Sequence, residues 1–333
     1  MPELPEVERA RQTLHRHCIN KEISWVRAAD DPIVFPEKRG YALAHMLKGK
    51  RVLDTGRRGK LFWLALSDNL LLLLHFGMTG DIHVSGEPQT RYRKNTTDED
   101  VDSGAWPPLY TKLEIEFGRS LAIAFSDPRR LGRIRVFAGA AQECPLVKKL
   151  GFDPIIDPPL PDQFSASLRA RRSPVKALLL RQDFSAGVGN WIADEVLYQS
   201  KIHPAQPACT LSDAQAHVLL EQIRNVCTTA VEANAESERF PASWLFHHRW
   251  AKAGRKSVVP AMPSGQHIEF VTVAGRTSAI VPDVQVLVPS DVAPSDTEVE
   301  DDDEERMPPP PPATLRKPTV RRKFRLKRDA TPE

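Results

Sequence analysis

The chain has 333 residues, 41% of them hydrophobic and 27% charged, with a formal net charge of +3. That length accommodates two domains with cores of their own, and the longest leucine run, Leu70 to Leu74, is far too short to span a bilayer. Nine basic and eleven acidic residues follow Ser290, which leaves +5 on the rest, a balance compatible with a polyanionic partner but not diagnostic of one.

The opening Met1-Pro2-Glu3-Leu4-Pro5-Glu6 is acidic and lacks the apolar run of a signal peptide. From about Glu6 to Ile19 the apolar positions Val7, Ala10, Leu14 and Cys18 recur at spacings of three and four, which predicts a helix with one buried face. Pro2 and Pro5 stand before or in its first turn, where a missing N–H matters least. Strand patterns follow at Glu22–Arg27, Arg51–Thr55, Leu61–Leu66, Leu70–Phe76, Leu113–Phe117 and Leu121–Phe125. Tyr41–Leu47 is expected as a short helix, and Ser67-Asp68-Asn69 and Gly118-Arg119-Ser120 as hairpin loops. The polar stretch between Glu87 and Pro108 reads as a mobile surface loop.

Prolines at 154, 158, 159 and 161 mark a joint. Helices are predicted after it near Asp162–Arg171, Pro174–Leu180, Trp191–Gln199 and Ser212–Asn234, the last with Ser212 as N-cap. Two more strands, His267–Val273 and Thr277–Val281, flank Ala274-Gly275-Arg276. The fold class is therefore α+β and multidomain. Residues 1–150 form an N-terminal antiparallel β-sandwich with a long helix, and 151–287 a helical domain ending in a β-hairpin at about 245–287. A disordered tail, 288–333, is acidic, then proline-rich, then basic.

Cys18, Cys144, Cys209 and Cys227 contain no C-x-x-C pair, so reduced thiols of an intracellular protein are expected, without a disulfide framework or a zinc site. Pro2, once Met1 is trimmed, would expose a secondary amine that titrates near 8 and forms iminium adducts with sugar carbons. Taken alone it is simply a proline before a helix, and Glu3 and Glu6 are first-turn acids. Gly187-Val188-Gly189-Asn190 is a glycine-rich turn before a helix, where N–H groups suit a phosphate and Asn190 suits an N-cap.

Five strings in order carry a resemblance: Met1-Pro2-Glu3-Leu4-Pro5-Glu6-Val7-Glu8, Gly59-Lys60, His75-Phe76-Gly77-Met78-Thr79-Gly80, Asp127-Pro128-Arg129-Arg130-Leu131-Gly132 and Gly187 to Glu195. Through about Leu287 the chain resembles the formamidopyrimidine-DNA glycosylases, relatives of endonuclease VIII. The resemblance implies that Pro2 attacks C1′ of a damaged nucleotide, that Glu3 protonates the deoxyribose ring oxygen, and that Lys60 approaches the lesion. It implies Met78, Arg129 and Leu131 as the group filling the hole left by an extruded base. Lys176, Asn190 and Arg276 would contact the DNA, Lys176 and Asn190 at the backbone in a helix–two-turns–helix element, and Arg276 from the hairpin into the minor groove. Arg130 and Arg133, beside the wedge, would most simply meet phosphates.

Two departures stand out. No cysteine follows Cys227, so the four-cysteine finger of bacterial members is replaced by a hairpin resembling the zincless finger of the plant and fungal branch, held by packing alone; and Leu131 stands where the family usually has phenylalanine. The expected protein is a monomeric bifunctional glycosylase/lyase without cofactor or metal. It would act on oxidised purines in damaged double-stranded DNA, weakly on 8-oxoguanine, cleave by β,δ-elimination and make no contact with membranes. The basic cluster Arg316–Arg328 suggests residence in the nucleus and import or repair partners for the tail. Open alternatives are a pyrimidine-preferring enzyme of the endonuclease VIII side, a non-catalytic damage-binding module, and a scaffold acting through its tail.

Overall fold

A computed structural model describes residues 2–88, 106–250 and 260–289. Most of the expected 87–108 loop, and the tail beyond Pro289 with its basic cluster, lie outside the described residues. Helix α1 (Leu4–Cys18) begins two residues earlier than its periodicity suggests. Its stripe behaves as expected, with Val7, Ala10, Leu14 and Cys18 at 4% exposure or less in one core.

That core lies between two antiparallel four-stranded sheets. One has the order β1 (Trp25–Ala28), β6 (Thr111–Phe117), β7 (Leu121–Ser126), β5 (Asp81–Val84); the other β2 (Val52–Arg58), β3 (Leu61–Leu66), β4 (Leu70–His75), β8 (Arg133–Ala138). Helix α2 (Gly40–Leu47) packs beside β1. The leucine run of β4 has no polar face because both its faces are covered. Leu70, Leu72 and Leu74 enter the sandwich core, whereas Leu71 and Leu73 meet a second cluster with Cys144 and the short α3 (Pro145–Lys148). β5 and β8 escaped the sequence reading: Asp81-Ile82-His83-Val84 is short and half polar, and Arg133 and Arg135 interrupt the apolar pattern of β8.

The helical half contains α4 (Pro161–Arg169), α5 (Val175–Leu180), α6 (Asn190–Gln199) and α7 (Asp213–Glu232) around a separate apolar cluster. Ser212 caps α7 as predicted, its hydroxyl accepting the Gln215 N–H at 3.3 Å. Leu4, at the start of α1, is buried in this helical cluster, whereas Val7, Ala10, Leu14 and Cys18 enter the sandwich core. Helix α1 therefore packs against both α7 and the strands β2 and β3. The last hairpin pairs β9 (Glu269–Val273) with β10 (Arg276–Ile280) through a two-residue turn. Ala274 and Gly275 have φ of 50° and 69°, the positive pair that a tight hairpin turn requires.

Candidate active site

The first residues of the chain are fastened to the turn before α6. The Leu4 N–H donates to the Gly187 carbonyl at 3.1 Å. The Glu3 carboxylate, 1% exposed, accepts the backbone N–H groups of Gly189 at 2.8 Å, Trp191 at 2.9 Å and Ile192 at 3.1 Å. Glu3 thus supplies, from across the fold, the cap that α6 needs at its positive end. The two glycines of this turn are explained by that docking. A Cβ on Gly187, which has φ +99°, would stand 2.8 Å from the Leu4 Cβ, and one on Gly189 would stand 2.3 Å from the Glu3 carboxyl carbon. The turn was expected to offer its N–H groups to a phosphate and Asn190 to cap; instead the anion at this helix end is the chain's own.

Burial pushes the Glu3 carboxyl above the ordinary carboxylate range, opposed by Lys60 and by the N–H groups of α6. Glu6 accepts the Glu3 N–H at 2.9 Å, and burial together with the Glu3 charge raises it to about 7. Pro2 is buried immediately before this pair. Lys60 occupies the Gly59-Lys60 turn between β2 and β3, whose closing pair is Arg58 and Leu61. A Cβ on Gly59 would lie 2.8 Å from the Gly187 nitrogen, so this turn and the α6 turn touch. Beneath it, buried Asp153 takes the Gly59 N–H at 2.8 Å and pairs with Arg57, which reaches Glu8 of α1 at 3.0 Å. Pro2 and Glu3, consecutive in sequence, and the distant Lys60 therefore converge at one corner.

Met78 and the pair Arg129 and Leu131 lie on two loops locked to each other. Buried Asp127 accepts the Thr79 hydroxyl at 2.6 Å, the Arg129 N–H at 3.1 Å and the Gly132 N–H at 2.6 Å. A Cβ on Gly77 would fall 2.3 Å from the Leu131 carbonyl. Arg129 is exposed, and Met78 and Leu131 are half-buried.

Residues 1–134 match the family model for the formamidopyrimidine-DNA glycosylase N-terminal domain, and residues 150–242 match that for its H2TH domain. A formamidopyrimidine-DNA glycosylase of Arabidopsis thaliana is 38% identical over 291 residues, covering 87% of this chain and 72% of that protein. One from Thermus thermophilus is 34% identical over 293 residues, covering 86% and 98%. The chain belongs to the formamidopyrimidine-DNA glycosylase family.

Solved members of the formamidopyrimidine-DNA glycosylase family share the fold. The Thermus thermophilus structure has TM-score 0.65 at 29% identity, covering 86% of this chain and 100% of that one. A Lactococcus lactis enzyme in complex with DNA containing an abasic site has TM-score 0.67 at 25% identity, covering 85% and 99%.

Within this glycosylase fold, two expected contacts need correction. Lys176 is fully buried and cannot present its ammonium to a DNA backbone: it donates to Asp194 at 2.6 Å, Ser278 Oγ at 2.7 Å and the Thr277 carbonyl at 3.2 Å. Arg133 is likewise buried, 6% exposed, and turns back to the Gly132 carbonyl. Arg130, by contrast, stays exposed while Asp31 holds it in a bidentate pair at 2.8 and 3.0 Å. Asn190 is half-buried and donates to the Thr277 carbonyl at 3.1 Å. Arg276 opens β10, partly exposed at the hairpin turn.

The hairpin is not held by packing alone. Besides a small apolar cluster of Leu245, Met262, Ile268, Ala279 and Val281, it docks on the buried Asp194, which also pairs with Arg249 and takes the Ala279 N–H at 3.2 Å. Sequence reasoning missed Asp127, Asp194 and Arg249. The first two stood inside matched strings and could have been questioned there; Arg249 carried no signal.

Proposed function

We propose that this chain is a DNA glycosylase and AP lyase of base excision repair, which removes oxidised purines, formamidopyrimidines foremost, from duplex DNA. The observation that carries the reading is the Glu3 carboxylate, buried beside Pro2 on three backbone N–H groups with Lys60 nearby. The names of the relatives and the DNA in solved neighbours support the substrate class.

With Met1 removed, the Pro2 secondary amine attacks C1′ of the damaged nucleotide. The glycosidic bond breaks, and the base leaves with its electron pair and is protonated. The Glu3 carboxyl, its proton affinity raised by burial, delivers a proton to the ring oxygen, opening the sugar to an iminium. Loss of the C2′ proton then expels the 3′ phosphate, and a second elimination expels the 5′ phosphate; hydrolysis of the iminium restores the amine. Met78 and Leu131 fill the vacated stack while Arg129 bonds the orphaned base. Arg276 reaches the minor groove, and Asn190 serves the phosphate backbone.

The enzyme acts as a monomer, and the basic cluster of the tail directs it to the nucleus. Deletion beyond Leu287 preserves excision on short duplexes but lowers nuclear accumulation. Borohydride trapping on a panel of damaged duplexes tests the chemistry. A trapped complex is expected with the native N-terminus and none when residues are added before Pro2. Trapping and excision that survive a blocked N-terminus would move the nucleophile elsewhere, with Lys60 first to be tried.

A further inference from the structure

Leu109 and Tyr110 are large side chains that the fold leaves in solvent, 61% and 60% exposed, directly before β6. Tyr110 also has φ of +61°, a left-handed backbone that a bulky residue adopts only when its surroundings impose it. Those surroundings are the wedge. The Tyr110 carbonyl accepts the N–H of Asp127, the residue whose carboxylate fastens the Met78 and Leu131 loops together. The segment is tied a second time two residues on. Lys112 donates to Asp31 at 3.2 Å, and the same carboxylate grips Arg130, between Arg129 and Leu131. The ladder between β6 and β7 shifts register between Thr111 and Leu113, a bulge of the kind that re-aims neighbouring side chains. These ties hold the Tyr110 backbone; among the described residues its hydroxyl has no hydrogen-bond partner, so the side chain itself is left to solvent.

We propose that Tyr110, with Leu109 beside it, is a DNA-contacting residue that lays its ring against the base stack next to the wedge and supplies the aromatic face that Leu131 lacks. This rests on reading Met78, Arg129 and Leu131 as the wedge. The ligand is a nucleobase face, because two adjacent exposed apolar bodies suit stacking better than they suit a phosphate.

The test uses the full chain with Tyr110→Ala, Tyr110→Phe, Leu131→Phe, and the Tyr110→Ala/Leu131→Phe double variant. Each is titrated against a duplex carrying a tetrahydrofuran abasic analogue with 2-aminopurine opposite it. Tyr110→Ala should weaken binding about tenfold and lose part of the change in 2-aminopurine fluorescence, in line with aromatic–base stacking. Tyr110→Phe keeps the ring and should bind within about twofold of the parent, and Leu131→Phe should recover most of the alanine loss.

Parental affinity and fluorescence in Tyr110→Ala would overturn the proposal. A phenylalanine variant as weak as alanine would do so too, by assigning the contact to the hydroxyl, and so would a lowered Tm in Tyr110→Ala, by assigning the residue to the fold. Borohydride trapping of the parent chain separates this from the proposed chemistry. Trapping together with an inert Tyr110 removes the contact alone, whereas a parent that never traps removes the enzyme.

Discussion

The Oε1 atom of Glu3 lies 2.9 Å from the backbone nitrogen of Trp191, so a carboxylate at the start of the chain caps a helix 188 residues away. Two further N–H groups, of Gly189 and Ile192, share its other oxygen. The residue assigned to proton transfer is therefore held by backbone, which fixes its position more firmly than a side-chain partner would.

Glu3→Gln tests that assignment. An amide has one oxygen, so it cannot serve donors on both sides of the carboxyl, and one buried N–H must face its NH2 group. Stability should drop by about 1–3 kcal/mol, and single-turnover excision should slow by about 10²- to 10⁴-fold, the usual worth of a general acid. Excision within about tenfold of the parent, a loss too small for a general acid, would show that the proton comes from another group.

Glu6 gives a pH signature. Its folded value of about 7 lies above the 4.5 of an ordinary glutamate, so between these the folded state holds the extra proton. Its contribution is fully present below about 4.5 and is lost as pH rises through about 7, up to about 3 kcal/mol. Glu6→Gln keeps an oxygen for the Glu3 N–H and should flatten that fall in urea denaturation between pH 5 and 7.5. Glu195, also raised to about 7 by burial, leaves its own slope in the variant. Identical profiles for the two proteins would mean that Glu6 is ionised throughout.

Lys176→Met separates a structural lysine from a DNA ligand. Removing Lys176 leaves the buried Asp194 balanced by Arg249 but strips the donor from Asp194 Oδ1 and from the Ser278 hydroxyl, and should cost about 1–3 kcal/mol. A lower Tm and a more protease-sensitive hairpin are expected. A stable variant that merely binds DNA less tightly would restore the backbone-contact role.

Asp127→Ala should unhook both wedge loops at once, because three donors lose their acceptor. Excision from well-paired duplexes should fall more than excision opposite a mismatch, where the wedge has less pairing to disrupt. Equal losses on both substrates would mean that the loops keep their shape without Asp127.

What the sequence disclosed was whatever repeats locally. The three-and-four spacing of Val7, Ala10, Leu14 and Cys18 revealed α1, and Ser212 revealed the start of α7, because each signal lies within a few residues of its effect. The strings around Pro2, Lys60 and Met78 located the corner and the wedge through resemblance. The partnerships stayed hidden. Nothing near Lys176 announces Ser278, 102 residues on, and a lysine reads as surface until its partners are known. The glycines of the α6 turn were visible, but their reason, the Glu3 and Leu4 side chains pressed against them, is a tertiary contact.

The cap on α6 also sets an order of events in biosynthesis. Glu3 leaves the ribosome long before Gly189, Trp191 and Ile192 are made, an interval of roughly 10–40 s at ordinary elongation rates. Until then its carboxyl is a solvated acid with no helix to hold it and no raised proton affinity. A chain stalled or cut before residue 192 carries the amine and the acid, yet not the frame that arms them. On the proposed chemistry, competence to open a sugar is thus acquired late in translation, and a product truncated before α6 is expected to lack it.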